Sequence, residues 1–527
     1  MKKLFTLVAM VLFAVTAAMA NWQPSDVDAT RLDKEDAGGQ VQMKTIRTDE
    51  GKIILSWLRP ERVDDVFSYR LHLQVFDANG EPQFGDEGII VCDKPTRTWT
   101  TDYALTMASN GDILLAYNDI RNDPENGEVT EVYMYRYTQD GEPVWDADGI
   151  LFPSWNNNEE TLLTEDVNPV MCVSGDNIYI AVNHTEYFDG MQTCWELVRL
   201  LDDGTVAPGV TKTFSSRIVV MKPSVDGYVY CIYDNANLGM DAELLDEDLV
   251  NTWIDPITIE ERQVSNGRYM PTPLTEVDGD GGLFLSYRVL NSFTGFQVVN
   301  HLTPQGMNLY QAVSCNNSED GNAGSAALGV KNDLAFVGWE FDYGTMFMNA
   351  NVIDAAGDFC WADDYRYGRS LDENDMWGFT PVKVIPQQDG WVLLYGNSTS
   401  WNGANFMVVK IDDIGNTVWS KQICEDNFKS SGFSVVYDER NAYIFYTQEE
   451  QYDDNWNVIP GSAGMYVMCV DITGEEPSGV QEVEAAAPAS VEVYTLDGKR
   501  ATEMTHGIYI IRTTDVNGKV TSVKVRK

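Results

Sequence analysis

The stretch Asn110-Gly111-Asp112-Ile113-Leu114-Leu115-Ala116-Tyr117 sets a tight-turn signal directly before a short apolar run. A run of about five apolar residues bounded by Gly, Asn and Asp reads as a buried strand and is too short for a helix. The same phrase recurs along the chain. Asp49-Glu50-Gly51 precedes Ile53 to Trp57, Gly175-Asp176 precedes Ile178 to Val182, and Asp226-Gly227 precedes Tyr228 to Tyr233. Asp278 to Gly282 precedes Leu283 to Tyr287, Asn332-Asp333 precedes Leu334 to Trp339, Asp389-Gly390 precedes Trp391 to Tyr395, and Arg440-Asn441 precedes Ala442 to Tyr446. A small residue often stands before the closing aromatic, as in Ser56-Trp57, Ala116-Tyr117, Ser286-Tyr287 and Gly338-Trp339.

A second series interleaves with the first: Asp, one or two residues, Gly, then often an aromatic four positions on. Its members are Asp77 to Gly80 with Phe84, Asp140-Gly141 with Trp145, Asp202 to Gly204, and a Gly-less copy at Asp246 to Asp248. It continues with Thr303 to Gly306, Asp354 to Gly357 with Trp361, Asp413 to Gly415 with Trp419, and Asp471 to Gly474. Copies of either series lie roughly 45 to 65 residues apart, the size of one four-stranded propeller blade. With strands named a to d from the axis outward, the first series marks the a–b hairpins and the second the c–d hairpins. The expectation is an all-β fold, an eight-bladed β-propeller of four-stranded blades over residues 21–474. The eighth unit lacks a d strand after Gly474, so the residues from Trp22 to Leu32 are expected to supply it and leave no open sheet edge.

The c–d phrase is similar to the sialidase Asp-box, although the aromatic there follows Gly by three positions. It is also similar to the tryptophan-docking repeat of eight-bladed quinoproteins, to which Asp354 to Trp361 comes nearest. Both likenesses read as hairpin chemistry that locks strand c to strand d.

The 527 residues are 44 % hydrophobic, enough for a core, and carry 36 lysines and arginines against 81 aspartates and glutamates, a net charge of −45. Such a surface repels a phosphate backbone, so nucleic acid is excluded as a partner. No cofactor is expected, while the acidic surface leaves room for Ca²⁺. Asp278-Gly279-Asp280-Gly281 resembles the start of a calcium loop, but it lacks the twelfth-position Glu and reads as a plain hairpin. The eight cysteines are scattered singly, which argues against zinc and redox sites. Cys231 and Cys469 fall in strand-like runs and read as buried thiols.

Lys2-Lys3, an apolar run from Leu4 to Val15 and Ala18-Met19-Ala20 form the three-part pattern of a cleavable export signal over residues 1–20. Residues 475–490 read as a linker. From Val491 onward seven basic residues stand against four acidic ones. There Val491-Glu492-Val493-Tyr494, Gly507-Ile508-Tyr509-Ile510-Ile511-Arg512 and Val523-Lys524-Val525-Arg526-Lys527 read as strands, with Asp497-Gly498 and Asn517-Gly518 as turns. Residues 491–527 resemble the C-terminal sorting domain of the type IX secretion system of Bacteroidetes. The resemblance implies outer-membrane secretion machinery as a partner and a secreted or cell-surface location reached through the periplasm.

In a propeller the b–c and d–a loops share one face, and here they are expected to be long and irregular, where binding usually resides. That face carries Trp99, Trp155, Tyr187, Tyr343, Trp377, Trp401, Tyr452 and Trp456 among many Asp, Asn and Glu residues. Rings beside carboxylates and amides suit a glycan, since rings stack on sugar faces and polar groups take the hydroxyls. A glycan or an extracellular protein is therefore the expected ligand. The alternative is a polysaccharide-acting hydrolase or lyase with its site in the central funnel. No Gly-x-Ser-x-Gly, His-Glu-x-x-His or Walker pattern occurs. His72 and His301 fall in expected c strands, His184 in a loop and His506 near the C-terminus. No catalytic residue stands out.

Overall fold

The computed structural model describes residues 22, 25, 29–33, 41–63, 66–96, 102–122, 129–153, 164–186, 192–264, 272–290, 295–310, 313–315, 322–361, 368–374, 378–400, 403–428, 430–448, 463–474, 490–495, 499–501, 508–514 and 520–526. The chain divides into two compact units, of which Pro24–Gly474 holds the blades and the other contains Glu475–Lys527.

Eight antiparallel blades follow one another. Blade 1 is Val41–Arg47, Ile53–Val63, Val66–Phe76 and Ile89–Cys92. Blade 2 is Tyr103–Met107, Ile113–Asp119, Val129–Tyr137 and Ile150–Leu151. Blade 3 is Thr164–Ser174, Asn177–Glu186, Gln192–Leu200 and Val206–Phe214. Blade 4 is Ile218–Pro223, Val229–Asp234, Met240–Leu245 and Ile257–Glu260. Blade 5 is Leu274–Val277, Leu283–Leu290, Gly295–Leu302 and Val313–Ser314. Blade 6 is Asn322–Lys331, Leu334–Asp342, Met346–Ile353 and Arg369–Asn374. Blade 7 is Phe379–Gln387, Gly390–Ser400, Gly403–Ile411 and Thr417–Phe428.

Blade 8 takes Ser430–Tyr437, Asn441–Gln448 and Gly464–Asp471 from the end of the array and Thr30–Arg31 from its beginning. The expected closure is therefore made by a short strand in which Thr30 opposes Val467 and Arg31 opposes Tyr466. The Ser25 amide donates to the Cys469 carbonyl at 3.0 Å, the Leu32 amide to Met465 at 2.8 Å and Arg31 Nη2 to the Ala463 carbonyl at 2.7 Å.

Seven buried apolar clusters lie between successive blades, from blades 1 and 2 round to blades 7 and 8. In the cluster between blades 6 and 7, for example, Phe336, Val352 and Trp361 meet Val384, Trp391 and Leu393. The strand-b aromatics fill these layers, with Tyr117, Trp339 and Tyr395 all but inaccessible.

The turn that follows strand c of each blade has a left-handed residue at the same place, Gly80, Gly141, Gly204, Leu249, Gly306, Gly357, Gly415 or Gly474, with φ between 60° and 85°. Three residues earlier Asp77, Asp246, Asp354 and Asp412 each accept two backbone amides on Oδ1, which fixes the turn. The capping residue of the seventh hairpin is thus Asp412 rather than Asp413.

The following aromatic does not lock strand c to strand d, as the sequence suggested. It lies on the left-handed residue of the next blade. Trp145 Nε1 donates to the Asp202 carbonyl at 2.9 Å, Trp253 to Pro304 at 3.0 Å and Trp361 to Asp413 at 3.0 Å. Phe84 likewise covers Gly141 and Tyr310 covers Gly357. Blade 3 has Pro208 where the aromatic would stand, and on blade 4 the left-handed position holds Leu249 instead of Gly, its buried side chain packed into the layer between the two blades. A side chain is tolerated at φ 60° where no ring lies over it.

Several expected loops are strand. In blades 1, 3 and 7 strands b and c run on as one extended hairpin, with Val63 opposite Val66, Glu186 opposite Gln192 and Ser400 opposite Gly403. His184 belongs to such a strand, buried, with Nδ1 2.5 Å from Asp166 Oδ1. His72 and His301 do lie in c strands. Asp278 forms a plain hairpin, its Oδ1 accepting the Asp280 and Gly282 amides and its Oδ2 standing 2.8 Å from His301 Nε2. Cys231 and Cys469 are buried free thiols.

In the other unit Ser490–Thr495, Ile508–Thr514 and Val520–Arg526 form an antiparallel sheet in that order. The export-signal residues and residues 475–489 of the linker lie outside the described residues, while Ser490 opens the first strand of this sheet.

The docking geometry predicts coupling between ring and glycine. Trp361→Ala should cost about 3 to 5 kcal/mol. Gly415→Ala should also destabilise, because its Cβ would stand 2.7 Å from the Trp361 ring at φ 85°. The double variant should lose less than the sum, and additive losses in urea unfolding would refute the contact.

A second prediction concerns pH. His72 is buried, stacks on Trp57 with centroids 5.1 Å apart, and has no hydrogen-bond partner for Nε2. Burial pushes its imidazole down to about 4. The unfolded chain takes up this proton near pH 6.5 and the folded chain only near pH 4, so stability falls as pH drops through that window, by up to about 3 kcal/mol. His72→Phe should flatten the dependence of Tm on pH between these values, and parallel curves for the two proteins would show that His72 does not drive it.

Candidate functional site

Of the eight aromatics expected to form the binding face, only Tyr343 is described. Trp99, Trp155, Tyr187, Trp377, Trp401, Tyr452 and Trp456 lie outside the described residues. Tyr343 stands at the b–c turn of blade 6, 63 % exposed, one residue beyond the end of strand b.

Around it the inner loop-face ends of blades 5, 6 and 7 converge. Asn322 opens strand a of blade 6 and pairs in register with Asp342, the last residue of strand b. Arg288, from strand b of blade 5, reaches across to Asn322 with Nη2 2.7 Å from Oδ1, while its Nε is buried without a partner. Burial holds the Arg288 guanidinium below its ordinary value, and the nearby Glu340 charge opposes that shift.

Glu340 occupies a slot that three strands leave open. Its Oε2 accepts the Phe379 amide, at the start of blade 7, at 2.8 Å. A Cβ on Gly324 would stand 2.5 Å from Oε1 and one on Gly378 2.7 Å from Oε2, so the two glycines make the room the carboxyl fills. Burial raises the Glu340 carboxyl above its usual range; the Phe379 amide and Arg288 oppose the shift, and Asp342 adds to it.

Tyrosine and acid meet repeatedly between neighbouring blades nearby. Asp372, on strand d of blade 6, takes the Tyr395 hydroxyl at 3.0 Å and Asn397 Nδ2 at 2.9 Å. Glu260, on strand d of blade 4, takes Arg262 Nη2 at 2.6 Å and the Tyr287 hydroxyl at 3.2 Å. Burial would push Glu260 up, but Arg262 and Tyr287 outweigh it and leave the carboxyl below its ordinary value. Asp234, which ends strand b of blade 4, is raised by burial against the pull of Arg217.

Glu276 Oε1 meets Lys383 Nζ at 2.7 Å, joining the innermost strands of blades 5 and 7 across blade 6. At this height strand a of blade 6 has Gly329, where a Cβ would stand 2.5 Å from Val384 of blade 7. Among the described residues no group of three His, Cys, Asp or Glu side chains could hold a metal ion.

The sequence reading singled out Tyr343 and passed over Arg288, Asn322, Glu340 and Asp342, which the fold brings to the same loop-face ends. With 81 acidic residues no single carboxylate stands out, and the signal that marks Glu340 is its pair of glycine neighbours.

No protein-family model matches the chain, and no curated protein matches it. Among solved structures it is similar to the polysaccharide lyase Uly1, at 9 % identity and a TM-score of 0.38 over 88 % of this chain and 95 % of that one. It is similar to puromycin hydrolase at 11 % identity and a TM-score of 0.37, over 81 % of this chain and 62 % of that one. A glycosyl hydrolase from Bacteroides ovatus matches at 12 % identity and a TM-score of 0.27, over 58 % and 85 %. The propeller assignment rests on sheet topology and not on these loose superpositions.

Proposed function

We propose that the chain is an exported eight-bladed propeller that binds glycan on its loop face. The observation that carries this reading is an exposed ring, Tyr343, next in the chain to Asp342, at the loop-face ends of blades 5 and 6 that also carry Arg288, Asn322 and Glu340. A flat ring covers an apolar sugar face, and a guanidinium, an amide and carboxyls take hydroxyls as donors and acceptors. The residues from Lys2 to Ala20 support export, and the basic strands after Ser490 support delivery by a type IX route to the surface.

A glycan array on the mature protein tests the reading. Tyr343→Ala and Trp401→Ala should each weaken binding by about 1 to 3 kcal/mol, the loss expected for an aromatic anchor. Tm should hold in both variants while Trp361→Ala lowers it. A fall in Tm with binding intact would make these rings loop anchors.

Deleting residues 475–527 should leave the propeller folded and retain it in the periplasm. Fractionation that finds the truncated chain at the cell surface would refute the sorting role.

A further inference from the structure

Strands a, b and c of blade 3 set Asp166, His184 and Cys194 side by side. Asp166 opposes His184 in the a–b ladder, and His184 opposes Cys194 in the b–c ladder. Residues directly opposite on neighbouring strands leave the same face of a sheet, with Cβ atoms about 5 Å apart. That face is turned to blade 2. Val182 and Val198, in step with His184 and Cys194, pack in the layer between blades 2 and 3, while Trp195 points the other way into the layer toward blade 4. A bulge puts the acid there: strand a carries one extra residue between Val167 and Val170, around Asn168 at φ 55°. In unbroken register Val167 would oppose His184 and Asp166 would leave the opposite face.

His184 Nδ1 stands 2.5 Å from Asp166 Oδ1, and both side chains are buried. An acid on Nδ1 orients the ring with Nε2 as the accepting nitrogen and steadies the imidazolium that forms when Nε2 takes a proton. Glu196, buried on the same face two residues along strand c, adds to that stabilisation. Cys92, Cys172, Cys231, Cys315 and Cys469 are buried thiols, whereas Cys194 is a free thiol partly open to solvent, third in strand c and near its loop-face end. A part-exposed thiol beside a histidine that a carboxylate orients is the arrangement of an activated nucleophile.

We propose that Cys194 is a nucleophile for acyl transfer from an ester, with His184 as its base and Asp166 as the residue that positions that base. The site lies on blade 3, apart from Tyr343 and its neighbours on blades 5 and 6. The Cys194 thiol gives its proton to His184 as the sulfur attacks the ester carbonyl carbon. The bond from that carbon to the alcohol oxygen breaks, His184 returns the proton to the leaving oxygen, and a thioester stays on Cys194. Water then adds to the thioester and gives one proton to His184; the carbon–sulfur bond breaks and the thiolate takes that proton back. One ester and one water become one acid and one alcohol.

The test uses the mature protein with p-nitrophenyl acetate. Wild type should release a burst of nitrophenol stoichiometric with protein and carry an acetyl group on the peptide that holds Cys194. Cys194→Ala should abolish both at unchanged Tm. Without substrate, Cys194 should alkylate with iodoacetamide at pH 7 about 10-fold faster in the folded chain than in urea, since an ordinary thiol is only a few per cent thiolate there. His184→Gln and Asp166→Asn should slow acylation by about 10² to 10⁴-fold, the range for losing a base or its orientation. Alkylation of the variants separates loss of activation, which slows Cys194 alone, from a loosened fold, which would also open Cys172 and Cys231. The wild-type burst, the alkylation ratio and Cys194→Ala decide the proposal even if a buried variant loosens. No burst, a burst that survives Cys194→Ala, or a Cys194 slower in the folded chain than in urea overturns it, and so does acylation unchanged in His184→Gln.

Discussion

No blade of this ring has an interior of its own. Each sheet hides its apolar faces only against the sheets on either side, so the buried clusters fall between blades and a blade without neighbours would expose them. The small-then-aromatic ending of strand b follows from this, because a large ring at the loop-face end must project into the next layer while its small neighbour lets the sheets approach. Gly338 meets Leu393 of blade 7, and Trp339 on the other side fills the layer toward blade 5. Ring closure is then a condition of folding. Between blades 8 and 1 the contacts include Phe76 and Phe445 with centroids 6.4 Å apart, the Thr45 and Ser434 hydroxyls at 2.6 Å, and Arg47 against Asp438 at 3.6 Å. The short strand at Thr30–Arg31 holds the two ends of the array together where those contacts alone would have to do so.

The repeat was legible in sequence because a left-handed backbone position selects glycine, and glycine beside Asp is conspicuous in apolar surroundings. The same rule obscured one docking ring. Leu249 holds the left-handed place in blade 4, and a reading that waited for glycine passed over Trp253 four residues later, although that ring docks on the next blade like the others. The long hairpins were misread for a related reason. Arg59-Pro60-Glu61-Arg62 is a polar run inside strand b of blade 1, and local composition cannot tell a polar ladder from a loop. The site was least legible. Tyr343 announces itself as an aromatic in a polar run, but Glu340 becomes distinct only when Gly324 of strand a and Gly378, just before blade 7, are brought against it.

The excess of acid is spread over two kinds of place. Much of it stands at the turns, where Asp77, Asp246, Asp354 and Asp412 work as backbone acceptors and would be used at any net charge. Several of the scarcer cations are set between blades: Lys44 meets Asp102, Lys331 meets Asp413, Arg136 bridges Asp112 and Asp202, and Lys383 meets Glu276. Ion pairs at exposed positions contribute little each, but a cation placed between blades relieves repulsion where two acidic edges come close.

The two faces of the ring are therefore under different constraints. At the turn face each hairpin must present a left-handed residue to the ring that docks on it, and the side chains left over include apolar ones with no cover, such as Ile254 at 99 % exposure and Ile414 at 71 %. Little there can change without breaking a blade-to-blade contact. At the loop face the length of strands b and c is free to vary, and in blades 1, 3 and 7 they run on as long hairpins. Blade 6 uses that freedom differently: its strand b stops at Asp342, and its innermost strand is reduced to small residues. Gly324 of that strand and Gly378 before blade 7 open the slot for Glu340. The same economy of side chains thus serves close packing near the axis and leaves a carboxyl half-withdrawn from water beside one that is not.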